Sequence, residues 1–305
     1  MNALPTNPVA SGIDRAQRAD VLIEALPYLR RFAGGVVVIK YGGNALAGGD
    51  ESSALASFAR DVALLQAVGL RPVVVHGGGP QINALLERLG KVPQFHEGLR
   101  VTDAETMEVV GMVLLGQVNP RIVSAINVNG GRAAGVSGQD MELLLVRQRD
   151  PQLGFVGEIV SVQPKVITDM LDDGVVPVIA TVGVDAHGDA YNVNADTAAS
   201  AIAVALGAMK ILFLTDVVGV LLDRNDPGSL VGRLTPVEID ALTKRGVIAG
   251  GMIPKLASCI DAVNGGVAAA HILDGRVDHA VLLELLTDEG VGTMVVADPA
   301  SRGPS

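Results

Sequence analysis

Two glycine-rich turns each follow a short apolar strand, and both have the composition of an anion-binding site. The segment VVVIKYGG covers residues 36–43, and PVVVHGGGPQ covers residues 72–81. Ligands of parallel sheets collect at the carboxyl ends of strands, which is where both turns should lie. Consecutive glycine N–H groups form a nest for an anion, and the N-terminus of a following helix strengthens it. Lys40 adds a positive charge beside the first turn.

These turns do not match the common nucleotide-binding motifs. The sequence contains no G-x-G-x-x-G, and Gly43 and Gly48 are followed by Gly49 where a P-loop requires lysine. Taken singly, each turn could serve only to connect a strand to a helix. Taken together, two nests on neighbouring strands would hold one phosphoryl group from two sides.

A third segment, YNVNADTAAS at residues 191–200, places two amides and a carboxylate ahead of an alanine-rich helix. If the segment is extended, Asn192, Asn194 and Asp196 point to one side. The alternative is that Asp196 or Asn194 only caps the helix. Capping explains one of these residues but not all three.

A fourth segment, GGMIPKLAS at residues 250–258, puts Lys255 at the beginning of a predicted helix. A lysine at the positive end of a helix is electrostatically unfavourable unless an anion is held there. The alternative is a solvated lysine. The four segments together predict a site for a phosphorylated or otherwise anionic ligand.

Bulk composition limits the other classes of function. The chain has 305 residues with a formal net charge of −10, and nucleic acid binding normally requires a basic face. A single cysteine, Cys259, excludes an intrachain disulfide framework and a cysteine-based zinc site, and we interpret it as a small residue on a helix. No uncharged apolar run reaches the roughly 18 residues of a membrane span, and no signal segment is present. We therefore expect a cytoplasmic protein that contacts neither nucleic acid nor membrane.

The elements that must position these residues alternate along the chain. Aromatic residues make up only 3%, so valine, leucine, isoleucine and alanine must form the core, which suits buried parallel strands. Helices are predicted at 14–32 with a kink at Pro27, and at 52–68, 80–90, 164–172, 196–206, 254–264 and 280–286, with one or two further helices at 103–127. Strands are predicted at 36–40, 72–76, 133–137, 142–147, 157–162, 175–180, 210–214 and 268–273. This order predicts an α/β fold with an open, mainly parallel sheet sandwiched between helices.

Six motifs resemble the amino acid kinase family over about residues 36–295. They are IKYGGNA (39–45), VVVHGGGPQIN (73–83), GLRVTD (98–103), NVNADTAA (192–199), LTDVVGVL (214–221) and GGMIPKL (250–256). HGGGPQIN followed by GLRVTD is similar to the branch whose phosphoryl acceptor is N-acetyl-L-glutamate, rather than to the aspartate, uridylate or carbamate kinases.

The resemblance implies transfer of the γ-phosphoryl group of ATP to the side-chain carboxylate of N-acetyl-L-glutamate, in arginine biosynthesis. It implies Mg²⁺ held mainly by the nucleotide phosphates, with no metal site built by the protein. Lys40 and Lys255 would stabilise the transition state, and Asp196 would orient both. The implied phosphoryl-binding residues are Gly42, Gly43, Gly78 and Gly79. The implied substrate-binding residues are Gly78, Gly79, Arg100, Asn192 and Asn194. The implied nucleotide-binding residues are Asp216, Val217, Gly219, Leu221, Met252 and Lys255.

The two ends of the chain resemble the arginine-inhibited, hexameric branch of the family, a trimer of dimers. The matching segments are ALPYLRRF (25–32) and HAVLLELLTDEGVGTM (279–294). The implied arginine site comprises Tyr28, Lys210, His279, Glu284, Gly290 and Gly292. Two alternatives remain open, namely that Glu284 is an exposed helical charge and that the first helix caps its own subunit instead of joining a neighbour. A signalling protein of the PII type is a further possible partner.

The implied division of the chain has four parts. Residues 1–33 form a helical oligomerisation arm, 34–188 an acetylglutamate-binding lobe, 189–297 a nucleotide-binding lobe and 298–305 a disordered tail. The polar, turn-rich stretch 184–190 is the best boundary between the lobes.

The sequence leaves three alternative functions to compare with this one. A glutamate or carbamate kinase of the same family is the nearest, and Arg100 within GLRVTD speaks against it. A non-catalytic sensor of nucleotide or arginine should have lost Lys40, Asp196 or Lys255, and all three are present. A nicotinamide-dependent oxidoreductase is disfavoured because G-x-G-x-x-G is missing.

Overall fold

The computed structural model of the protein describes residues 15–42, 51–287 and 290–298. The expectations for residues 1–14, for Gly43 and for the tail from residue 299 onward lie outside the described residues.

Helices and strands alternate as the sequence predicts. The α-helices are α1 Arg15–Phe32, α2 Glu51–Ala67, α3 Gly79–Arg88, α4 Ala104–Val113, α5 Asn119–Val128, α6 Lys165–Asp172, α7 Ala195–Ala205, α8 Pro236–Lys244, α9 Met252–Asn264 and α10 Ala280–Leu286. The strands are β1 Val36–Tyr41, β2 Arg71–His76, β3 Phe95–His96, β4 Leu99–Arg100, β5 Ala133–Ser137, β6 Leu144–Gln148, β7 Gly157–Val162, β8 Val176–Ala180, β9 Val182–Val184, β10 Ala190–Asn192, β11 Lys210–Thr215, β12 Arg233–Leu234, β13 Ala269–Asp274 and β14 Thr293–Val295.

An eight-stranded sheet forms the centre, in the order β12-β14-β13-β11-β1-β2-β8-β5. Its pairings are parallel except that of β13 with β14. The predicted α/β architecture with a mainly parallel sheet is therefore confirmed. Strand β1 lies between β11 and β2, so the glycine turns after β1 and β2 leave the same edge of the sheet side by side.

The side chains of β1 point alternately into two hydrophobic cores, one on each face of the sheet. Val37 and Ile39 join the core that includes residues of α2 and α5. Val38 joins the core that includes residues of α7 and α9. Because side chains two apart on a strand share a face, Lys40 points toward α7 and α9 with Val38.

A smaller sheet in the order β10-β9-β6-β7 and a hairpin of β3 and β4 complete the fold. The predicted lobe boundary at 184–190 is a tight turn within the smaller sheet, because Val184 and Ala190 pair across the antiparallel β9–β10 ladder. The large sheet also runs through both predicted lobes, since β1 of the first pairs with β11 of the second. The division into lobes stays a prediction.

The stretch 103–127, predicted to hold one or two helices, holds two α-helices joined into one continuous rod. Asp103 caps it by accepting a hydrogen bond from Thr106 N at 2.8 Å, as predicted. Between α4 and α5 the chain forms a π-helical segment, Leu114–Val118. This segment shifts the helical register of the residues of α5 that follow it. Among the described residues this rod, 104–128, is the one helix long and apolar enough to cross a membrane, yet 44% of its apolar window is buried inside the protein. A core helix of a globular protein can have the same length and apolar composition.

Helix α8 and several short strands were not predicted, and one strand begins two residues later than predicted. Strands β9, β10, β12 and β14 have two or three residues each, too few to show a periodic pattern. The strand predicted at 142–147 begins only at Leu144, because Met141 and Glu142 adopt left-handed backbone angles in the preceding turn. Helix α1 continues through Pro27.

Candidate active site

Lys40 is a nearly buried lysine at the end of a central strand. It is 7% exposed, and its Nζ lies 2.7 Å from Oδ1 of Asp196 in the first turn of α7. Because β1 is a parallel strand, Lys40 near its carboxyl end lies at the edge of the sheet where α7 begins. The strand and the helix thus join two residues that are far apart in sequence.

Lys255 approaches the same carboxylate from the first turn of α9. Its Nζ lies 3.6 Å from Oδ2 of Asp196, so each carboxylate oxygen faces one ammonium group. Burial alone would raise the pKa of Asp196, but Lys40 and Lys255 outweigh it and hold that pKa below its ordinary value. Asp196 is therefore a carboxylate that keeps together two cations, both of which line the same cavity.

Helices α7 and α9 are joined directly beneath this triad of Lys40, Asp196 and Lys255. Ser200 Oγ donates to the carbonyl of Ser258 at 2.8 Å, and both serines are buried. Cys259, buried on α9 as predicted for a small helical residue, lies in the same core, and burial raises the pKa of its thiol. This packing fixes the separation of the two charged helix ends.

Asn194 caps α7. Its Oδ1 accepts from Asp196 N at 2.9 Å and from Thr197 N at 3.1 Å. Capping was the alternative interpretation of this segment, and it accounts for Asn194 but leaves Asn192 and Asp196 to other partners. Asn192 donates through Nδ2 to Thr102 Oγ1 at 3.3 Å.

At Gly42 and Gly78 in the two glycine turns, close packing leaves no room for a side chain. A Cβ on Gly42 would lie 2.7 Å from the carbonyl oxygen of Leu214 and 3.0 Å from Nζ of Lys40. A Cβ on Gly78 would lie 2.7 Å from a methyl group of Leu114. Gly79 instead opens onto free space at the first residue of α3. Gly42, Gly78 and Gly79 all line one cavity of about 250 Å³ together with Lys40 and Lys255.

A buried polar pair supports the second turn. His76 Nδ1 lies 3.0 Å from the carbonyl oxygen of Gly77, and His76 Nε2 lies 3.0 Å from Nδ2 of Asn119. Asn119 also donates to the carbonyl of Val178 at 2.8 Å, so its amide group is the donor to His76. Burial lowers the pKa of His76 to about 4, so the imidazole is neutral and its Nδ1–H donates to Gly77.

Arg100, on β4, lines the same cavity. Its Nη2 donates to Asn83 Oδ1 at 2.6 Å and to the carbonyl of Gly79 at 3.2 Å, both on α3. The ring of Phe95 lies 4.8 Å from the guanidinium carbon. Asn192 and Asn194 also line this cavity, so the structure brings together the predicted substrate residues Gly78, Gly79, Arg100, Asn192 and Asn194.

Four of the residues implied in nucleotide binding, 216, 217, 219 and 221, follow β11, and the other two, Met252 and Lys255, lie on α9. Asp216 lines the cavity beside Lys255, while Val217 and Met252 pack at the edge of the hydrophobic core. Gly219 has a φ of 138°, and a Cβ there would lie 2.6 Å from Oγ1 of Thr293. Leu221 pairs with Leu230 across a short antiparallel bridge. These contacts hold a loop next to the cavity.

Two of the residues implied in arginine binding, Gly290 and Lys210, interact with a third, Glu284, by packing and by charge respectively. Glu284 is buried, at 8% exposure, so it is not an exposed helical charge. Its Oε1 lies 2.5 Å from His271 Nδ1, and its Oε2 accepts from Val291 N at 2.9 Å. Gly290 faces the same carboxylate, since a Cβ there would lie 3.2 Å from Oε2.

The other implied arginine-site residues have different surroundings. Lys210 Nζ lies 5.2 Å from the ring centre of Phe32, and Glu284 is among the charges that act on its pKa. His279 pairs with Asp61 of α2 at 2.6 Å. Tyr28, on α1, is partly buried and packs against the hydrophobic core that includes Phe32. Gly292 is required by packing, because a Cβ there would lie 2.1 Å from the carbonyl oxygen of Ile272.

The sequence model of the amino acid kinase family matches residues 35–274. The chain belongs to this family. An acetylglutamate kinase of Desulforamulus reducens is 50% identical to this kinase over 290 residues, which cover 94% of this chain and 100% of the relative. An acetylglutamate kinase of Synechococcus elongatus is 53% identical over 282 residues, which cover 92% of this chain and 93% of the relative.

Solved structures share the fold of this kinase. N-acetylglutamate synthase of Neisseria gonorrhoeae, in complex with coenzyme A and N-acetyl-glutamate, superimposes with a TM-score of 0.80 at 27% identity. The superposition covers 92% of this chain and 63% of the synthase, so the synthase is the longer protein. Carbamate kinase of Giardia lamblia matches with a TM-score of 0.64 at 20% identity, over 87% of this chain and 99% of that enzyme, which shows the fold alone.

Sequence reasoning missed several residues that build the site. Asn83 lies within the motif HGGGPQIN, which by itself predicts no contact with Arg100. The sequence predicts His76 and Asn119 only as parts of a strand and of a helix. For Asn119 no local signal exists, because the π-helical segment decides which side chain reaches His76. Phe95 offered one signal, since it is one of only five phenylalanines and lies five residues before Arg100.

Proposed function

We propose that this kinase transfers the γ-phosphoryl group of ATP to the side-chain carboxylate of N-acetyl-L-glutamate, a step of arginine biosynthesis. The acetylglutamate kinases that are half identical to it over nearly its whole length support this activity. The chemical support for the proposal is one observation. The ammonium groups of Lys40 and Lys255 both face one carboxylate, and both lysines line the same cavity as Arg100.

The chemistry of the phosphoryl acceptor determines which catalytic groups the enzyme needs. A carboxylate is already ionised at neutral pH and needs no general base. The obstacles are its repulsion from the triphosphate and the charge spread over the equatorial oxygens of the phosphoryl group in flight. Fixed positive charge and aligned N–H groups address both, because they are in place before the reaction begins.

Each part of the site has a place in this scheme. Lys40 and Lys255 would contact oxygens of the phosphoryl group from the two sides of the cavity, with Asp196 setting their separation. N–H groups of the turns at Gly42 and Gly78 would bind the same oxygens. Asp216 and the loop held by Gly219 and Leu221 would border the nucleotide, together with Val217 and Met252.

Arg100 would bind the α-carboxylate of the substrate, because a guanidinium suits a carboxylate in a two-point contact. Asn192 would contact the same ligand. A carbamate acceptor has no α-carboxylate and would leave Arg100 unused. Free glutamate has one, but also carries an ammonium group that the acetyl group of N-acetyl-L-glutamate replaces.

Mg²⁺ would be carried by the β and γ phosphates of ATP, where it neutralises charge. Among residues 15–42, 51–287 and 290–298 no three acidic, histidine or cysteine side chains cluster to hold a metal ion. Both oxygens of Asp196 face lysines. The donor set of the described cavity therefore suits a metal ion that arrives on the nucleotide.

We also propose feedback inhibition by arginine and a hexameric assembly in the cytoplasm. The buried Glu284 with Gly290 beside it offers a carboxylate for a guanidinium or ammonium group. Helix α1 anchors Phe32 in the core of its own chain but leaves Ile23 66% and Leu26 42% exposed. An exposed apolar stripe on a terminal helix favours an arm that packs on a neighbouring subunit.

Trapping of the acyl phosphate with hydroxylamine tests the activity. Wild-type enzyme with ATP, Mg²⁺ and N-acetyl-L-glutamate should yield the hydroxamate, while free glutamate gives far less. Carbamate kinase activity is measured separately, as ATP formed from ADP and carbamoyl phosphate. Binding of nucleotide without any hydroxamate would identify a non-catalytic sensor, and preference for glutamate or carbamoyl phosphate would identify another member of the family.

A further inference from the structure

Arg100 carries a buried charge that the protein does not neutralise. It is 8% exposed, and no carboxylate within the described part of the chain forms an ion pair with it. Burial lowers the pKa of its guanidinium, and no acidic side chain opposes that effect. Arginines buried in proteins normally have an acidic partner, because an uncompensated charge in the interior is costly.

Neutral groups hold the guanidinium in place instead. Asn83 Oδ1 accepts from Nη2 at 2.6 Å, and the carbonyl oxygen of Gly79 accepts from the same nitrogen at 3.2 Å. Both acceptors come from one turn of α3, since residues four apart share a helix face. Phe95 covers the guanidinium at 4.8 Å. Two of these three groups come from the helix that also carries the phosphoryl-binding turn.

A buried donor nitrogen of Arg100 remains unused. Nη1 is buried and has no hydrogen-bond partner among the residues that the structure describes. Arg100 is also one of the residues that line the cavity. A buried, unpaired and charged donor is expensive, so the partner that satisfies it is expected from the ligand.

We infer that Asn83 is a positioning residue that aims Arg100 at the substrate while leaving its charge intact. The inference rests on the proposed function, because it takes the α-carboxylate of N-acetyl-L-glutamate as the missing counter-ion. An aspartate at position 83 would hold the guanidinium more tightly through a charge-assisted hydrogen bond. It would also neutralise Arg100 and repel the incoming carboxylate. The neutral amide therefore preserves selectivity for substrates that bear an α-carboxylate.

A positioning role of Asn83 and a merely structural role of Asn83 predict different results. If Asn83 only stabilises the fold, Asn83→Asp should behave better than Asn83→Ala, because aspartate keeps the bond to Arg100. If Asn83 preserves the charge of Arg100, Asn83→Asp should be the worse enzyme and the more stable protein of the two. Asn83→Asp should then have both the higher KM and the higher thermal midpoint of the two variants.

The experiment uses full-length wild type, Asn83→Ala and Asn83→Asp with two acceptors in the hydroxamate assay. The acceptors are N-acetyl-L-glutamate and 4-acetamidobutanoate, which lacks only the α-carboxylate. For N-acetyl-L-glutamate we expect KM to rise about tenfold in Asn83→Ala and at least fiftyfold in Asn83→Asp, with kcat and the KM for ATP within about threefold of wild type. For 4-acetamidobutanoate, kcat/KM should change less than threefold in either variant.

The controls distinguish failure of this inference from failure of the proposed function. Asn264→Asp changes an exposed asparagine at the end of α9 and should leave both acceptors unaffected. Wild-type enzyme that makes no hydroxamate from N-acetyl-L-glutamate would refute the function itself. An active wild type with an Asn83→Asp KM at or below that of Asn83→Ala would overturn the role of Asn83 alone. A thermal midpoint of Asn83→Asp below that of Asn83→Ala would also count against it.

Discussion

Lys40 Nζ lies 2.7 Å from Asp196 Oδ1, although one residue ends a central strand and the other begins a helix far along the chain. The contact unites the two halves of the sequence at one point of the sheet edge. Because Asp196 also faces Lys255, one carboxylate sets the positions of two cations. A phosphoryl group with charge on several oxygens is the ligand that such a pair suits.

Replacement of Asp196 by asparagine should damage both stability and turnover. The change keeps the shape of the side chain but leaves two ammonium groups uncompensated, so we expect a loss of about 3 kcal/mol in the free energy of unfolding. We expect kcat to fall about 100-fold, because the lysines lose their orientation. Urea unfolding and the hydroxamate assay measure the two effects. Addition of ATP should restore more stability to Asp196→Asn than to wild type, and equal restoration would contradict this account.

Protonation of His76 should destabilise the enzyme in acid. Its pKa is lowered from 6.5 to about 4 by burial, so the native state binds fewer protons than the unfolded state between these values. The stability is fully present above pH 6.5 and is lost as the pH falls toward 4, by about 3 kcal/mol. In His76→Gln this loss should be absent. An equal decline of both proteins between pH 6.5 and 4 would refute the assignment of the neutral imidazole.

Asp61 should give a pH dependence of the opposite sign. Burial raises its pKa to about 6, although His279 at 2.6 Å opposes the rise. The native state therefore binds more protons, and its stability is full below pH 4 and falls by about 3 kcal/mol as the pH rises through 6. Asp61→Asn should abolish that fall. Unfolding by urea at pH 4, 5, 6 and 7 measures it, and an unchanged slope in the variant would show that Asp61 does not titrate there.

Arginine inhibition should depend on Glu284. Glu284→Gln keeps the size of the side chain and removes its charge, so the arginine concentration that halves activity should rise at least tenfold. Each variant is compared with its own activity without arginine, and Glu87→Gln, an exposed charge on α3, is the matched control. Deletion of residues 1–30 should reduce both the inhibition and the particle mass. Unaltered inhibition in Glu284→Gln would remove this residue from the arginine site.

Much of the site was predictable because motif residues sit at the ends of regular elements. Lys40 follows a run of valine and isoleucine, and Asp196 and Lys255 stand in the first turns of helices whose patterns are clear in the sequence. The parallel sheet then determines that they meet. The same reasoning gave the correct cap for α4 at Asp103, because capping is a local interaction.

The remaining parts of the site depend on registers that no local pattern encodes. Asn119 reaches His76 only because the π-helical segment shifts the helix, and Gly135 admits its side chain, since a Cβ there would lie 1.9 Å from Oδ1 of Asn119. Asn83 meets Arg100 only because the β3–β4 hairpin folds over α3. Asn194 had two interpretations that the sequence could not separate, and the structure shows the cap.

The turnover of Lys40→Ala and Lys255→Ala, measured at saturating ATP and N-acetyl-L-glutamate, tests the central claim most directly. If both ammonium groups stabilise the phosphoryl group in flight, each variant should lose about 100-fold or more in kcat. Lys244→Ala, which removes an exposed lysine paired with Asp240, should retain the wild-type value. A kcat within threefold of wild type in either Lys40→Ala or Lys255→Ala would contradict the account.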